Sequence, residues 1–178
     1  MSVAAPPAGR TWVDEVRIRL IQESDLPALE WEGEFAHFRR VYADAFRRFI
    51  QGLNLMWVAE WPPVGLLGQV FIQLECDRPE LCNGIDRAYL YAFRIRPEYR
   101  NYGLGSKMMD VVENDLRLRD FHWITLNVAR ENVKAQQLYA RRGYRIVAPE
   151  PGRWSYIDHQ GHIREVVEPA WRMEKKLG

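Results

Sequence analysis

What this sequence has little of narrows its reading first. It holds only two cysteines, Cys76 and Cys82, in 178 residues. Their spacing fits no zinc motif and one pair makes no disulfide framework, so the expectation is reduced thiols in a cytoplasmic protein. Neither sign of charge dominates: 25 Lys plus Arg face 24 Asp plus Glu, a net charge of +1. That balance argues against a nucleic-acid partner, which a basic excess would announce. No apolar run is long enough to span a bilayer, so no membrane partner is expected. Met1 to Arg10 lacks the apolar core of a signal peptide and carries Pro6-Pro7. It reads as a disordered tail, residues 1–12, ahead of a single domain over 13–178. His159-x-x-His162 has no Cys or carboxylate pattern around it beyond Asp158, so it reads as a polar turn and no metal is expected. His37 and His122 are isolated.

What is present is an ordinary soluble composition, 47% hydrophobic and 28% charged, with enough chain for a real core. Val16 to Ile21 alternates apolar and charged residues as a half-buried strand does. Ser24-Asp25-Leu26-Pro27 has the cap and early proline of a helix start. From Phe35 to Ile50, Phe35, Phe38, Tyr42, Ala45, Phe46 and Phe49 share a helical face that excludes the arginines, and Gly52 stops it. Leu55–Glu60 and Gly68–Leu74 form a hairpin around Pro62-Pro63, and Ala88–Ile95 is a third strand ended by Pro97. Leu104, Met108, Val111, Val112 and Asp115 give a helix over 103–118. A strand over 122–128 follows, then a helix over 132–142 capped by Asn132 and stopped by Gly143. Two strands, about 144–157 and 163–175, close the chain, with a break expected near Pro149 and Pro151. The order predicts an α/β fold: a mixed sheet of about seven strands with four helices.

One segment carries chemistry. The strand ending Phe93-x-Ile95-x-Pro97 runs into Arg100-Asn101-Tyr102-Gly103-Leu104-Gly105-Ser106 and directly into a helix. A helix start offers unpaired N–H groups and a positive dipole end to an anion. Glycines let a phosphate approach the backbone, and Arg100 adds charge. The third glycine of a dinucleotide fingerprint and the Gly-Lys-Ser/Thr of a P-loop are both missing, so neither of those readings holds. A steric turn explains the glycines equally well if they are taken alone.

The order Arg100-x-x-Gly103-x-Gly105 after that strand resembles the acyl-CoA signature of the GNAT superfamily of N-acyltransferases. Downstream, Leu126-Asn127-Val128 and Asn132-x-x-Ala135-x-x-Leu138-Tyr139-x-x-x-Gly143-Tyr144 are similar to the second half of that family's core. The resemblance covers about residues 89–146, and the hairpin from Trp154 to Glu174 looks like the family's last two strands. It implies a mainly antiparallel GNAT sheet and acetyl-CoA as cosubstrate. It implies that backbone groups of Phe93 and Ile95 hold the pantetheine arm. Amides from Tyr102 to Ser106, with Arg100 and Asn101 beside them, would hold the pyrophosphate. Asn132 would reach the cofactor edge, and Tyr139 would stand near the sulfur. Without the resemblance, Asn132 is a helix cap and Tyr139 a core aromatic.

Acyl transfer to an amine needs a proton removed from the incoming ammonium and one supplied to the leaving thiolate. Tyr139 is the natural general acid. Some relatives place a Glu where this chain has Asn127, so a direct side-chain base is in doubt. Glu75 is the first candidate base, the acidic run Glu30, Glu32, Glu34 the second, and a water chain the alternative. In the family the segment holding that run commonly lines the acceptor groove, where carboxylates would draw in a protonated amine; a solvated acidic turn explains them equally. The implied partner is an amine, on a small molecule or a protein, acted on by a monomer or homodimer. The rival reading is a non-catalytic acetyl-CoA-binding sensor on the same fold.

Overall fold

The structure, a computed structural model, describes residues 4–178. The first three residues of the expected tail lie outside that range. Residues 4–10 form no helix or strand, but Trp12, also assigned to the tail, belongs to the core. It opens the short helix α1 (Trp12–Glu15) and is 2% exposed. Its ring meets Trp61, Tyr99 and Tyr102 at 5.4–5.6 Å between centroids, a packing worth more than its area alone. Lys107 fastens the same segment by donating to the Val13 and Val16 carbonyls at 2.8 and 2.7 Å.

Strand β1 (Arg17–Leu20) leads into a 3-10 segment, Glu23–Glu30. Here Gln22, not Ser24, is the cap: Gln22 and Asp25 form a reciprocal capping box. A short 3-10 turn, Ala36–Phe38, then enters α2 (Arg39–Ile50). Helix α2 buries Tyr42 and Ala45, half-buries Phe46 and Phe49, and keeps Arg39, Arg40 and Arg47 exposed, as its periodicity requires. Next come β2 (Asn54–Trp61), β3 (Gly65–Gln73), β4 (Arg87–Ile95), α3 (Leu104–Leu118), β5 (Trp123–Ala129) and α4 (Val133–Arg141). Helix α3 buries Leu104, Met108, Met109, Val112 and Leu116. Asp115 leaves that stripe and pairs with Arg119 at 2.7 Å.

The two expected closing strands are four: β6 (Arg145–Glu150), β7 (Arg153–Ile157), β8 (Ile163–Val167) and β9 (Ala170–Lys176). Both breaks have the same cause. Pro151 and Pro169 cannot donate to a ladder. Gly152 lies so close to the Glu168 carbonyl that no Cβ would fit there. The chain therefore peels off as a separate two-stranded hairpin, β7–β8. Asp158 organises its turn, accepting from the backbone N–H of Gln160 and His162 and from Arg164.

The main sheet has seven strands in the order β1-β2-β3-β4-β5-β9-β6. Every neighbouring pair is antiparallel except β4–β5. Four helical segments of eight or more residues flank it, so the predicted architecture holds. One face packs on α3 and α4 through Leu55, Ala59, Val70, Ile72, Ala88, Leu90, Ile124, Leu126 and Val128. The other packs on the 3-10 segment and α2 through Met56, Val58 and Phe71. Coverage on both faces is why these strands read as near-continuous apolar runs.

The cysteines differ from expectation. Cys76 and Cys82 are joined as a disulfide, with Cα atoms 5.7 Å apart. The chain between β3 and β4 doubles back through a Glu75–Asn83 bridge, and this brings the pair into the usual range for such a bond. Spacing alone could not reveal that reversal.

Candidate functional site

The site begins where two parallel strands part. Strands β4 and β5 pair only over Arg87–Leu90 and Trp123–Leu126. Both continue beyond that ladder, β4 to Ile95 and β5 to Ala129. The wedge between them has backbone donors and acceptors along both edges and no strand between. A bulge in β4 accompanies the parting. Its register with β3 shifts between Gln69 and Phe71, and Ala92 sits at φ 50°. The extra residue also inverts the side-chain alternation. Before it, Ala88 and Leu90 face α3 while Tyr91 packs on the α2 side; after it, Phe93 and Ile95 face α3.

At the open end of the wedge stands the first turn of α3. Gly103 is its N-cap, at φ 91°, with no side chain capping the turn. No atom would crowd a Cβ at Gly103, so backbone conformation is what requires glycine there. Gly105 is different. It is helical, and a Cβ would meet Ile95, Phe93 and Leu138 only at ordinary distances of 3.5–3.8 Å. Nothing inside the protein demands glycine at 105. Arg100 lies between strand and helix, its Nε donating to the Ile95 carbonyl at 2.7 Å. Asn101 is in the left-handed region at φ 68°. Tyr102 turns its ring to Trp12, leaving only its backbone beside the turn.

Helix α4 supplies the other wall. Asn132 caps it, Oδ1 accepting from the Ala135 amide at 3.1 Å. Tyr139 is 6% exposed and packs on Tyr144. Its hydroxyl has no hydrogen-bond partner among the described residues. Burial, with a smaller contribution from Tyr89, holds the phenol well above its ordinary pKa, so it stays protonated and able to donate.

The opposite face of the wedge is lined differently. Tyr89 and Tyr91 stack in parallel planes 5.9 Å apart, and burial pushes both phenols up to about 12. Asn54 donates to the Tyr91 hydroxyl at 3.2 Å. Asn127 is the first β5 residue past the ladder, and its Oδ1 is shut from solvent without a partner. An orphaned buried carbonyl of this kind is uncommon. These tyrosines had no sequence signal beyond their alternation, and the bulge that aims the neighbouring positions had none.

The structure does not bring the proposed carboxylates to the wedge as free groups. Glu75 is exposed and lies past the β3 residue that pairs with Tyr89, beyond the closed end of the wedge. Glu30 makes a two-pronged contact with Arg39 at 2.8 and 3.0 Å. Glu32 does the same with Arg96, both bonds 2.9 Å, and this contact holds its carboxyl below the usual range. Glu34 is exposed and makes no ion pair among the described residues. The carboxylate whose charge acts on Tyr89 is Glu150, itself held by Arg78 and Arg172. No group of three His, Cys, Asp or Glu among the described residues is arranged to hold a metal ion, and no described helix is long and apolar enough to cross a membrane.

Comparison with known proteins agrees with this architecture. The chain matches the Acetyltransferase (GNAT) family over residues 19–144. Among solved structures it is similar to the spermidine/spermine N-acetyltransferase SpeG from Vibrio cholerae, at TM-score 0.69 and 18% identity, covering 94% of this chain and 95% of that one. It is similar to Ard1 from Thermoplasma volcanium, at TM-score 0.69 and 16% identity, covering 91% and 97%. It is also similar to a GNAT-family protein from Desulfovibrio desulfuricans, at TM-score 0.69 and 13% identity, covering 92% and 99%. Identities this low speak to the fold alone. No curated protein sequence matches the chain. With the family matched over most of its length and the parted strands, glycine turn and α4 tyrosine in place, the chain belongs to the GNAT acetyltransferase family.

Proposed function

We propose that this protein transfers the acetyl group of acetyl-CoA to a primary amine by direct attack within a ternary complex. The observation that carries this reading is the β4–β5 wedge, whose edges can pair with an extended amide-bearing arm as they would with a strand. The residues present fit such a ligand. Backbone groups of Phe93 and Ile95 would pair with the pantetheine amides. The amides of Gly103 to Ser106, at the positive end of α3, would meet the pyrophosphate with Tyr102 and Asn101 beside them. Arg100 would leave the Ile95 carbonyl to reach a phosphate. The bare α-carbon of Gly105 gives the ligand a close approach that no internal contact explains. Asn132 keeps its amide N–H₂ free for the cofactor edge while Oδ1 caps α4.

Bound acetyl-CoA would supply an activated thioester carbonyl and a thiolate leaving group. Tyr139, packed on the α3–α4 side of the sheet, would protonate the sulfur. The amine must then enter from the other face, past Tyr89, Tyr91 and Asn127. Asn127 Oδ1 would accept a hydrogen bond from the amine or from a water that carries its proton away. In this reading Glu75 has no direct part, and water takes the role of base. The enzyme would work where acetyl-CoA is available, in the cytoplasm, whose reducing pool would act against the Cys76–Cys82 bond. SpeG is a spermidine/spermine N-acetyltransferase, which supports an amine acceptor in general terms.

A second reading, an acetyl-CoA sensor without turnover, draws on one observation: among the described residues no free carboxylate stands at the wedge. Initial rates of thiol release, with acetyl-CoA and an amine both varied, separate the cases. Intersecting reciprocal plots are expected. Parallel plots would overturn direct attack, and acetyl-CoA binding without release would favour the sensor.

A further inference from the structure

Most of the partly buried arginines of this protein are paired with carboxylates. Arg19, Arg78, Arg87, Arg96, Arg142 and Arg172 are all partly or largely buried, and each is paired with a carboxylate at 3.1 Å or less. Two partly buried arginines have no carboxylate among the described residues: Arg48, which is taken up by the Glu75 backbone carbonyl at 2.7 Å, and Arg94. Arg94 sits on β4 just past the bulge, half-buried, and its Nη1 donates to the Tyr42 hydroxyl at 2.9 Å. Its guanidinium lies over the rings of Phe35 at 4.5 Å and Phe38 at 5.1 Å. Among the described residues it has no carboxylate partner, and one hydrogen bond leaves most of its five N–H donors unused.

Three side chains thus fix a partly desolvated cation whose counter-charge is missing. No carboxylate among the described residues pairs with Arg94, and Glu34, beside Phe35 in sequence, is exposed and pairs with no cation among them. Around His37 stand the cations Arg94 and Arg164 and the carboxylate Asp158, and Asp158 is already bonded to Arg164 at 2.8 Å. Glu30 and Glu32 are committed to Arg39 and Arg96. Burial first, and then the Arg94 charge, hold His37 below its ordinary pKa, which disfavours a second cation beside Arg94 and supplies no counter-charge. His159 also has a buried ring nitrogen, Nδ1, with no partner. The β7–β8 hairpin roofs this corner, Trp154 stacking on Phe38 and Tyr156 packing against Phe38 and His37.

Location gives the cation its meaning. Arg94 lies on the α2 side of the sheet, the face from which the amine must come if Tyr139 works from the other side. We infer that Arg94, aimed by Tyr42, Phe35 and Phe38, is the anchor for a carboxylate on the acceptor, so that the acceptor class is amino acids rather than polyamines. This rests on the acetyl-transfer reading above. A planar guanidinium binds a carboxylate through two parallel hydrogen bonds. A polyamine would meet an unpaired positive charge there and be disfavoured.

The test compares each of the twenty amino acids with its own carboxamide as acceptor, with spermidine alongside, using thiol release. At least one amino acid should exceed its carboxamide about 10–100-fold in kcat/KM, the range expected from charge-assisted hydrogen bonds. Arg94→Gln should collapse that ratio through KM, Arg94→Lys should restore part of it, and Arg94→Glu should shift preference towards spermidine. Melting curves of each variant, with acetyl-CoA affinity by calorimetry, show that fold and cofactor site are intact. Equal use of acids and carboxamides, or turnover of spermidine or other amines but of no amino acid, would each overturn the anchor, whereas bound acetyl-CoA with no amine turned over would remove the acetyl-transfer reading instead. Failure of acetyl-CoA to bind wild-type protein would remove that reading too.

Discussion

Replacing Tyr139 by Phe separates chemistry from packing. The ring is buried and packs on Tyr144, and Phe preserves that packing. The hydroxyl bonds to no described residue, so its loss orphans no partner. Stability should therefore move by no more than about 0.5 kcal/mol, the usual bound where no named interaction is lost. Turnover is another matter. The phenol is held above its ordinary pKa by burial, so it is a proton donor throughout the working pH range. General acids contribute about 10²–10⁴-fold. A thiolate leaves readily by itself, so the lower end, about 10²-fold in kcat, is the expectation. The assay is thiol release at saturating acetyl-CoA and amine, with calorimetry for acetyl-CoA and a melting curve alongside. Full kcat in Tyr139→Phe would refute the acid role. A fall in melting temperature with kcat intact would mark Tyr139 as a core aromatic only.

Gly105→Val should weaken acetyl-CoA binding at least about tenfold, because its side chain enters the space the phosphate needs, while melting changes little; unchanged affinity by calorimetry would remove the site. Glu32→Gln should destabilise by about 1 kcal/mol or less, since Arg96 is buried but Glu32 is 51% exposed on its side chain. The carboxyl pKa is depressed in the fold, so its contribution is present above the unfolded value of about 4.3 and fades as pH falls. The melting difference between wild type and variant should vanish at low pH and persist at pH 7. Asp158 is held below the usual carboxylate range by the backbone N–H of His162 first, then by Arg164 and the Gln160 N–H. Its support for the β7–β8 turn should likewise be lost only as pH falls below the unfolded value of about 3.9, read by Trp154 fluorescence, and should be absent in Asp158→Ala at every pH.

Much of the fold was legible because its rules are local. The α2 stripe, the cap at Asn132 and the stop at Gly143 are set by neighbours three or four residues away. The glycine turn before α3 was legible for the same reason. What escaped depended on contacts across the chain. The burial of Trp12 needs Tyr99 and Tyr102. The Cys76–Cys82 bond needs the reversal at Glu75–Asn83. The closing strands became four because Gly152 packs against Glu168. At the site, the bulge at Ala92 decides which β4 side chains face which helix, and one residue's offset is invisible to a period-two reading. The acidic run was read as free charge, but Arg39 and Arg96, distant in sequence or on another element, take up Glu30 and Glu32.

The most direct test of acetyl transfer is to follow the label. Protein is incubated with acetyl-CoA carrying a ¹³C-labelled acetyl group and with the amine panel, and products are read by mass spectrometry. The account predicts labelled N-acetylated amine and free CoA in equal amounts, both requiring enzyme and amine together. Free CoA with no labelled amine, or bound acetyl-CoA that stays intact with every amine, would contradict it.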